Sequence, residues 1–270
     1  MWSYLWLVPL GFAVGAYGTL IGAGGGFVLV PILLLLYPEE RPETIASISL
    51  AAVFFNALAG SLAYARMGRV DYRSGLLFSA ATIPGAVLGA LTTGTLPRHA
   101  FEVMLGLLML GTSVVLIIGP ASPVSLRPRA HALVVRRVME ADGAAHTFSY
   151  DPVVGVSMSL LVGYFSSALG IGGGIIHVPV LTKLLNFPVH IATATSQLTL
   201  AVMALAGSLV HVATGAFHRG MRRTVALTIG VLLGAPLGAW LSSRIRGQWI
   251  VRALAIALAI VGLRLLIGVE

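Results

Sequence analysis

The sequence predicts an all-α polytopic membrane protein of two structural repeats. Each repeat has about four helical segments, the first broken or re-entrant at a glycine-rich loop. Three observations carry this prediction. Of 270 residues, 57% are hydrophobic and only 10% are charged, against about 25% charged in soluble domains. Apolar runs close to the ~20 residues that cross a bilayer recur along the chain. Residues 22–33, GAGGGFVLVPIL, return as residues 170–181, GIGGGIIHVPVL.

The first apolar segment covers residues 2–21, where Gly11, Gly15, Gly18 and Gly22 fall on one helix face. Small-residue faces let membrane helices approach closely. No Lys or Arg precedes this run, and Gly15 and Tyr17 match Gly163 and Phe165 of the second copy. The segment is therefore read as retained structure, not as a signal peptide. Residues 27–37 are apolar but rise only ~16 Å as helix, about half a bilayer. Longer apolar segments follow at about 44–65, 74–96 and 100–119.

Residues 120–151 are the long polar connection, with Arg127, Arg129, Arg136 and Arg137 against Glu140, Asp142 and Asp151. They are read as a cytoplasmic linker between a first repeat, 1–119, and a second, 152–270. The second repeat has apolar segments at 153–169, 175–186, 191–213, 224–243 and 249–268. Ala46/Ala194 and Leu50/Leu198 keep the motif's spacing of 148, and GAVLGA (85–90) answers GAPLGA (234–239). Two equal halves are a transporter pattern, and two copies are too few for a solenoid.

Parity leaves two arrangements. A broken segment that crosses once gives four crossings per half and parallel repeats. A re-entrant hairpin gives three and inverted repeats. About 35 residues is long for one crossing, which favours the inverted form.

The formal charge is +8 with a pI near 10.6. In a soluble domain that suggests nucleic acid. Here the arginines sit in short loops between apolar runs, the positive-inside signature, so nucleic acid is not an expected partner. Absence of cysteine excludes disulfides, thiolate metal sites and a Cys nucleophile. Apart from Glu102 near the start of the 100–119 run, no acidic residue lies within a span, and no paired carboxylates or metal-ligand spacing occur, so no enzyme, cofactor or metal is expected.

Glycine and proline are poor residues for a helix interior, so each motif marks a helix break. Backbone unwound at bilayer depth must be buried in protein or line a polar cavity. The helices restarting after each break point free N–H groups and positive dipole ends at that place, which suits an anion. The substrate-binding candidates are Gly22, Gly24, Gly25, Gly26, Gly170, Gly172, Gly173 and Gly174. The polar residues after each break join them: Ser49 and Asn56 in the first half, Thr195, Ser196 and Gln197 in the second. Hydroxyl and amide groups donate to an oxyanion without fixing charge. Close packing by small residues and interhelical hydrogen bonding are the plainer alternatives, and they weigh equally for Ser47, Thr199 and Ser208.

His177, opposite Leu29 of the first copy, is a candidate for proton coupling. A neutral, backbone-bonded histidine is its plainer reading. His211, near a helix end, is read as interfacial, and Lys183 as snorkelling.

The duplicated GxGGGxxxVPxL, set in two four-segment halves, resembles the sulfite exporter TauE/SafE family. The resemblance covers residues 11–119 and 155–268. It implies a multi-pass plasma-membrane carrier for anions, often sulfur-containing oxyanions such as sulfite or sulfonates, with substrate meeting Gly22–Gly26, Gly170–Gly174 and the polar residues after them. The expected partners are a small anionic substrate, the lipid bilayer and a coupling proton or sodium ion. A homodimer is left open. A passive anion channel is the alternative to a carrier.

Overall fold

The computed structural model describes residues 4–118 and 133–268; Arg127 and Arg129 of the polar connection lie outside the described residues. The first half holds α1 (Leu7–Ile21), α2 (Gly26–Leu36), α3 (Pro42–Arg66), α4 (Tyr72–Thr93) and α5 (Arg98–Ile118). The second holds α6 (Pro152–Ala168), α7 (Gly174–Pro179), α8 (Val189–Ala213), α9 (Met221–Ser242) and α10 (Gly247–Ile267). Among the described residues, six helices are long and apolar enough to cross a membrane: α3, α4, α5, α8, α9 and α10. The protein is an all-α, multi-pass membrane protein with one small addition, a β-hairpin between the halves.

Local chemistry sets the helix ends. α1 stops where Gly22 takes φ 80° and turns its N–H back on the Gly18 and Thr19 carbonyls. α2 restarts after Gly25 at φ 81°. α3 opens on Pro42 and Glu43 and closes on Arg66, the charge order a helix dipole favours. Asp151 caps α6, its Oδ1 accepting from the Val153 N–H at 2.8 Å. The 175–186 piece is not one regular helix. Pro179 lacks an N–H, and beyond it the backbone widens into a π turn over Val180–Leu184.

The halves interleave. α1 lies along α9 and α6 along α4, while α3 packs on α8 and α5 on α10. Gly230, Gly234 and Gly238 of α9 face Val8, Phe12 and Ala16, so α1 and α9 run in the same direction. Gly85 and Gly89 of α4 face Leu160 and Tyr164 of α6 in the same way. These seams are GAPLGA and GAVLGA, where the missing side chains let backbone meet backbone. α3 and α8 run opposite ways, since Gly60 meets Gln197 while Gly207 meets Leu50. α5 and α10 are opposed too, with Gly106 against Leu266 and Ser113 Oγ donating to the Ala255 carbonyl at 2.8 Å.

Burial follows this order. The most apolar stretch of α3 is 72% buried and that of α10 only 28%, so α3 is central and α10 peripheral. Leu76, Leu107, Leu233 and Ile260 point outward from α4, α5, α9 and α10, as a lipid-facing surface requires.

In its described part the polar connection is folded, not a featureless linker. β1 (Val134–Met139) pairs antiparallel with β2 (Ala145–Tyr150), Val134 opposite Tyr150 and Met139 opposite Ala145. Gly143 turns the hairpin at φ 90°, and Asp142 Oδ1 accepts from the Ala144 N–H at 3.0 Å. Val138, Phe148 and Tyr150 pack on Phe78, Leu181, Phe187 and Ile191, with the Phe148 and Phe187 ring centroids 4.3 Å apart. Polar tethers hold the rest: Arg69 Nε to Glu140 Oε2 at 2.6 Å, and the Tyr150 and Ser74 hydroxyls 2.7 Å apart. Burial raises the Tyr150 pKa above the ordinary phenol value, the Ser74 bond opposing it.

Candidate functional site

The two glycine turns have the same backbone. Gly22, Gly24 and Gly25 have φ of 80°, 72° and 81°, and their counterparts Gly170, Gly172 and Gly173 have 68°, 80° and 75°. Side chains rarely adopt such angles, so the turns need glycine. Space demands it as well. A Cβ on Gly26 would stand 2.5 Å from the Ile171 carbonyl oxygen, and one on Gly174 2.5 Å from the Gly22 oxygen. The two turns therefore touch, one from each half. Val53 of α3 lies against both: a Cβ on Gly24 or Gly172 would meet its Cγ1 at 3.0 or 2.5 Å. Every residue of Gly22–Gly26 and Gly170–Gly174 is buried, so the place is closed to both faces in this conformation.

The turns satisfy only part of their backbone. The Ala23 and Gly24 N–H groups donate to the Gly18 carbonyl at 2.8 and 3.2 Å, and that of Ile171 to Ser166 at 3.0 Å. The N–H groups of Gly25, Gly26 and Phe27, and of Gly172, Gly173 and Ile175, donate to no acceptor among the described residues. Buried donors of this kind are costly unless something accepts from them.

Polar side chains from α3 and α8 gather at the first turn. Ser196 Oγ donates to the Gly22 carbonyl at 3.1 Å, and Gln197 Nε2 to the Gly18 carbonyl at 3.4 Å. Thr19 Oγ1 donates to Asn56 Oδ1 at 3.2 Å, and Tyr64 OH to the Thr19 carbonyl at 2.9 Å. Asn56 Nδ2, Gln197 Oε1 and Ser49 Oγ are buried without a partner. Between Glu43 and Arg66 of α3, and throughout α8, no Asp, Glu, Lys or Arg occurs. The arrangement offers amide and hydroxyl donors with no fixed charge, which is what a buried oxyanion needs from a neutral site.

The second turn has polar neighbours that the sequence reading passed over. Ser166 Oγ lies 2.9 Å from where a Cβ of Gly173 would stand, and Ser167 Oγ 2.5 Å from a Cβ on Gly207; both hydroxyls are buried and unpartnered. They occupy the repeat positions of Gly18 and Thr19. That register, carried one turn before the glycines, was the available signal.

Other predicted residues stand elsewhere. Thr195 Oγ1 accepts the Asp71 N–H at 3.1 Å, toward the hairpin end. Ser47 Oγ bonds the Thr44 carbonyl within its own helix at 2.8 Å. His177 is buried edge-on to Phe78, ring centroids 5.9 Å apart, with neither ring nitrogen partnered; it does not make the backbone hydrogen bond of its plainer reading. His211 stands two residues before the end of α8. It is fully buried, because the 3-10 turn Ala216–Arg219 folds back over the ends of α3 and α8.

Comparison with known proteins places the chain among membrane transporters. The family profile described as sulfite exporter TauE/SafE matches residues 7–265. A probable membrane transporter protein of Bacillus subtilis, YunE, is 32% identical over 98% of this chain and 97% of its own length. A probable membrane transporter protein of Xylella fastidiosa strain Temecula1 is 29% identical over 87% of this chain and 82% of its own. YdhB of Bacillus subtilis, also named a probable membrane transporter protein, is 23% identical over 94% of this chain and 97% of its own. No solved structure matches the chain. The protein is a membrane transporter, not an enzyme, and it belongs to the sulfite exporter TauE/SafE family.

Proposed function

We propose that the chain is a secondary carrier that moves a small anion, such as sulfite, a sulfonate or a related organic anion, across the plasma membrane by alternating access. One observation carries this reading: two glycine turns, one from each half, meet in the core with unspent N–H groups and unpartnered hydroxyl and amide groups around them. Helix N-termini attract negative charge, and the family's description names an anion.

The helix directions support re-entrant hairpins in inverted halves. α3 opposes α8, and α9 follows α8 after only the short connection 214–220, so it turns back against α8 as well; α1, which runs with α9, then also runs with α3. α2 must then return to the face from which α1 came. α6 and α7 repeat this from the opposite face, and the equivalent helices α3 and α8 are opposed. Arg66, Arg69, Arg73, Arg136, Arg137, Arg244 and Arg246 share the hairpin end, which by the positive-inside rule faces the cytoplasm.

Opening requires one half to move against the other at the touching turns, exposing the anion to one face at a time. Counterflow in liposomes tests this. A carrier accelerates uptake of labelled sulfite when unlabelled sulfite is inside, whereas a passive channel, the second reading, shows no such stimulation.

A further inference from the structure

A file of buried polar side chains runs from the second glycine turn toward the end of α8. Ser166 Oγ lies at Gly173, 2.9 Å from where its Cβ would stand, and Ser167 Oγ lies at Gly207 of α8, 2.5 Å from a Cβ there. Ser208 follows Gly207, and His211 stands three residues on, on the same helix face. All four side chains are buried. The three hydroxyls and both ring nitrogens of His211 are unpartnered among the described residues. α8 starts at the hairpin, where Ile191 packs, so its last turn lies at the opposite end. There the turn Ala216–Arg219 covers His211, while His218 and Arg219 within it are exposed.

The first half has no such file. At the repeat spacing of 148 the four residues answer Gly18, Thr19, Gly60 and Ala63. Thr19 is the one hydroxyl among them, and it is spent on Asn56 Oδ1 at 3.2 Å. The same scaffold therefore packs without polar groups at these places, so packing alone does not call for them. Buried polar groups that the protein leaves unsatisfied are held by water or by a ligand, and an ionisable side chain within a span is a candidate for proton relay. We propose that the file is a water-linked proton path to the second glycine turn from the face opposite the hairpin, with His211 as its outermost acceptor. The proposal rests on the carrier reading above. A proton from outer water adds to a ring nitrogen lone pair of His211. It passes inward over the Ser208, Ser167 and Ser166 hydroxyls, each accepting one proton as it gives up another, and no other bond forms or breaks. The anion then crosses with part of its charge offset. The charged groups at the outer end are Glu43 of α3, which accepts from Thr214 Oγ1 at 3.4 Å, His218 and Arg219 of the turn, and Arg222 and Arg223 of α9, the last paired with Glu40 at 2.9 Å. α4 brings none to that end, α6 adds the Tyr164 phenol, and α7 brings His177 at the inner end.

The test has two arms, both on the full chain. In bilayers, solid-state NMR follows the ring nitrogen signals of His211 as bulk pH falls from about 8 to about 5, the window of an accessible histidine. A water-linked ring takes up a proton across this range and shows contact with water protons. A ring that stays neutral and dry throughout overturns the proposal. In liposomes, uptake of labelled sulfite is measured with and without a gradient of about one pH unit, acid outside, which is a roughly tenfold proton ratio. Leak through Gly173→Val liposomes is subtracted. The gradient should speed wild-type uptake by about threefold or more, and His211→Gln and Ser208→Val should each bring that factor below about 1.5. His218→Gln, in the exposed turn, should keep the wild-type factor. No acceleration in wild type, or undiminished acceleration in folded His211→Gln, overturns the proton path even where counterflow is intact. Absence of counterflow in wild type overturns the carrier reading itself, and with it the coupling drawn from the file.

Discussion

Arg136 of the hairpin meets Asp71 at 2.6 Å, Nη2 to Oδ1, and the Asp71 carboxylate is fully buried. The Asp71 N–H in turn reaches Thr195 Oγ1 on α8 at 3.1 Å. One ion pair thus ties the segment between the halves to the helix that carries Ser196 and Gln197. The hydrogen bond to Asp71 raises the Arg136 pKa above its ordinary value, so the guanidinium stays charged. Breaking one side of a buried pair costs about 3–5 kcal/mol. Arg136→Gln should lower thermal stability by an amount of that order, and Asp71→Asn in the same chain should restore part of it, as read by a double-mutant cycle on unfolding.

Gly173→Val places a branched side chain at φ 75° beside Ser166 Oγ. The strain is about 1–3 kcal/mol, which a folded membrane protein tolerates. Transport should fall to background while the variant still reaches the membrane as a monodisperse species. Normal uptake by folded Gly173→Val would remove the turn from the mechanism.

Asn56→Leu and Gln197→Leu remove the amides beside the first turn without removing its backbone donors. Each should weaken anion affinity about tenfold, the loss of one hydrogen bond to a charged group, with the maximal rate less affected. The readout is the concentration dependence of uptake.

His177 has neither ring nitrogen partnered and leans on Phe78. Leu29 fills the equivalent place in the other half, so His177→Leu should fold. If the imidazole couples a proton to the anion, the pH dependence of uptake flattens in this variant. An unchanged profile assigns His177 to packing.

Gly234 faces the Phe12 carbonyl and the Ala16 N–H. Gly234→Leu cannot fit between the two backbones, and overpacking costs roughly 1–3 kcal/mol or more. The folded fraction recovered from the membrane should drop sharply, while the same change at Gly111, where space is open, leaves it intact.

The glycine turns were legible because they occur twice. A lone GxGGG reads as packing, but two copies followed by Val-Pro at one spacing define a repeat, and the six long helices lie close to the apolar runs. The hairpin was not legible. Val134, Arg136 and Val138 alternate with their neighbours as a strand should, yet the charges make the stretch read as a linker. Thr19, Ser166 and Ser167 were missed because single hydroxyls in membrane helices resemble ordinary interhelical bonds. The burial of His211 was not legible, because the turn that packs over the ends of α3 and α8 comes later in the chain. Helix direction is undecided in the sequence because loop charges fit both parities; the inverted form proposed above rests on the facing glycines of neighbouring helices.

Amide chemical shifts of Gly25, Gly172 and Gly173, measured by solid-state NMR on labelled protein in bilayers during a sulfite titration, test the central claim most directly. An anion held by the paired turns shifts all three amides together and saturably, as hydrogen bonds form to previously unspent N–H groups. Saturable sulfite binding that leaves these amides unmoved and instead perturbs the arginine loops would contradict it.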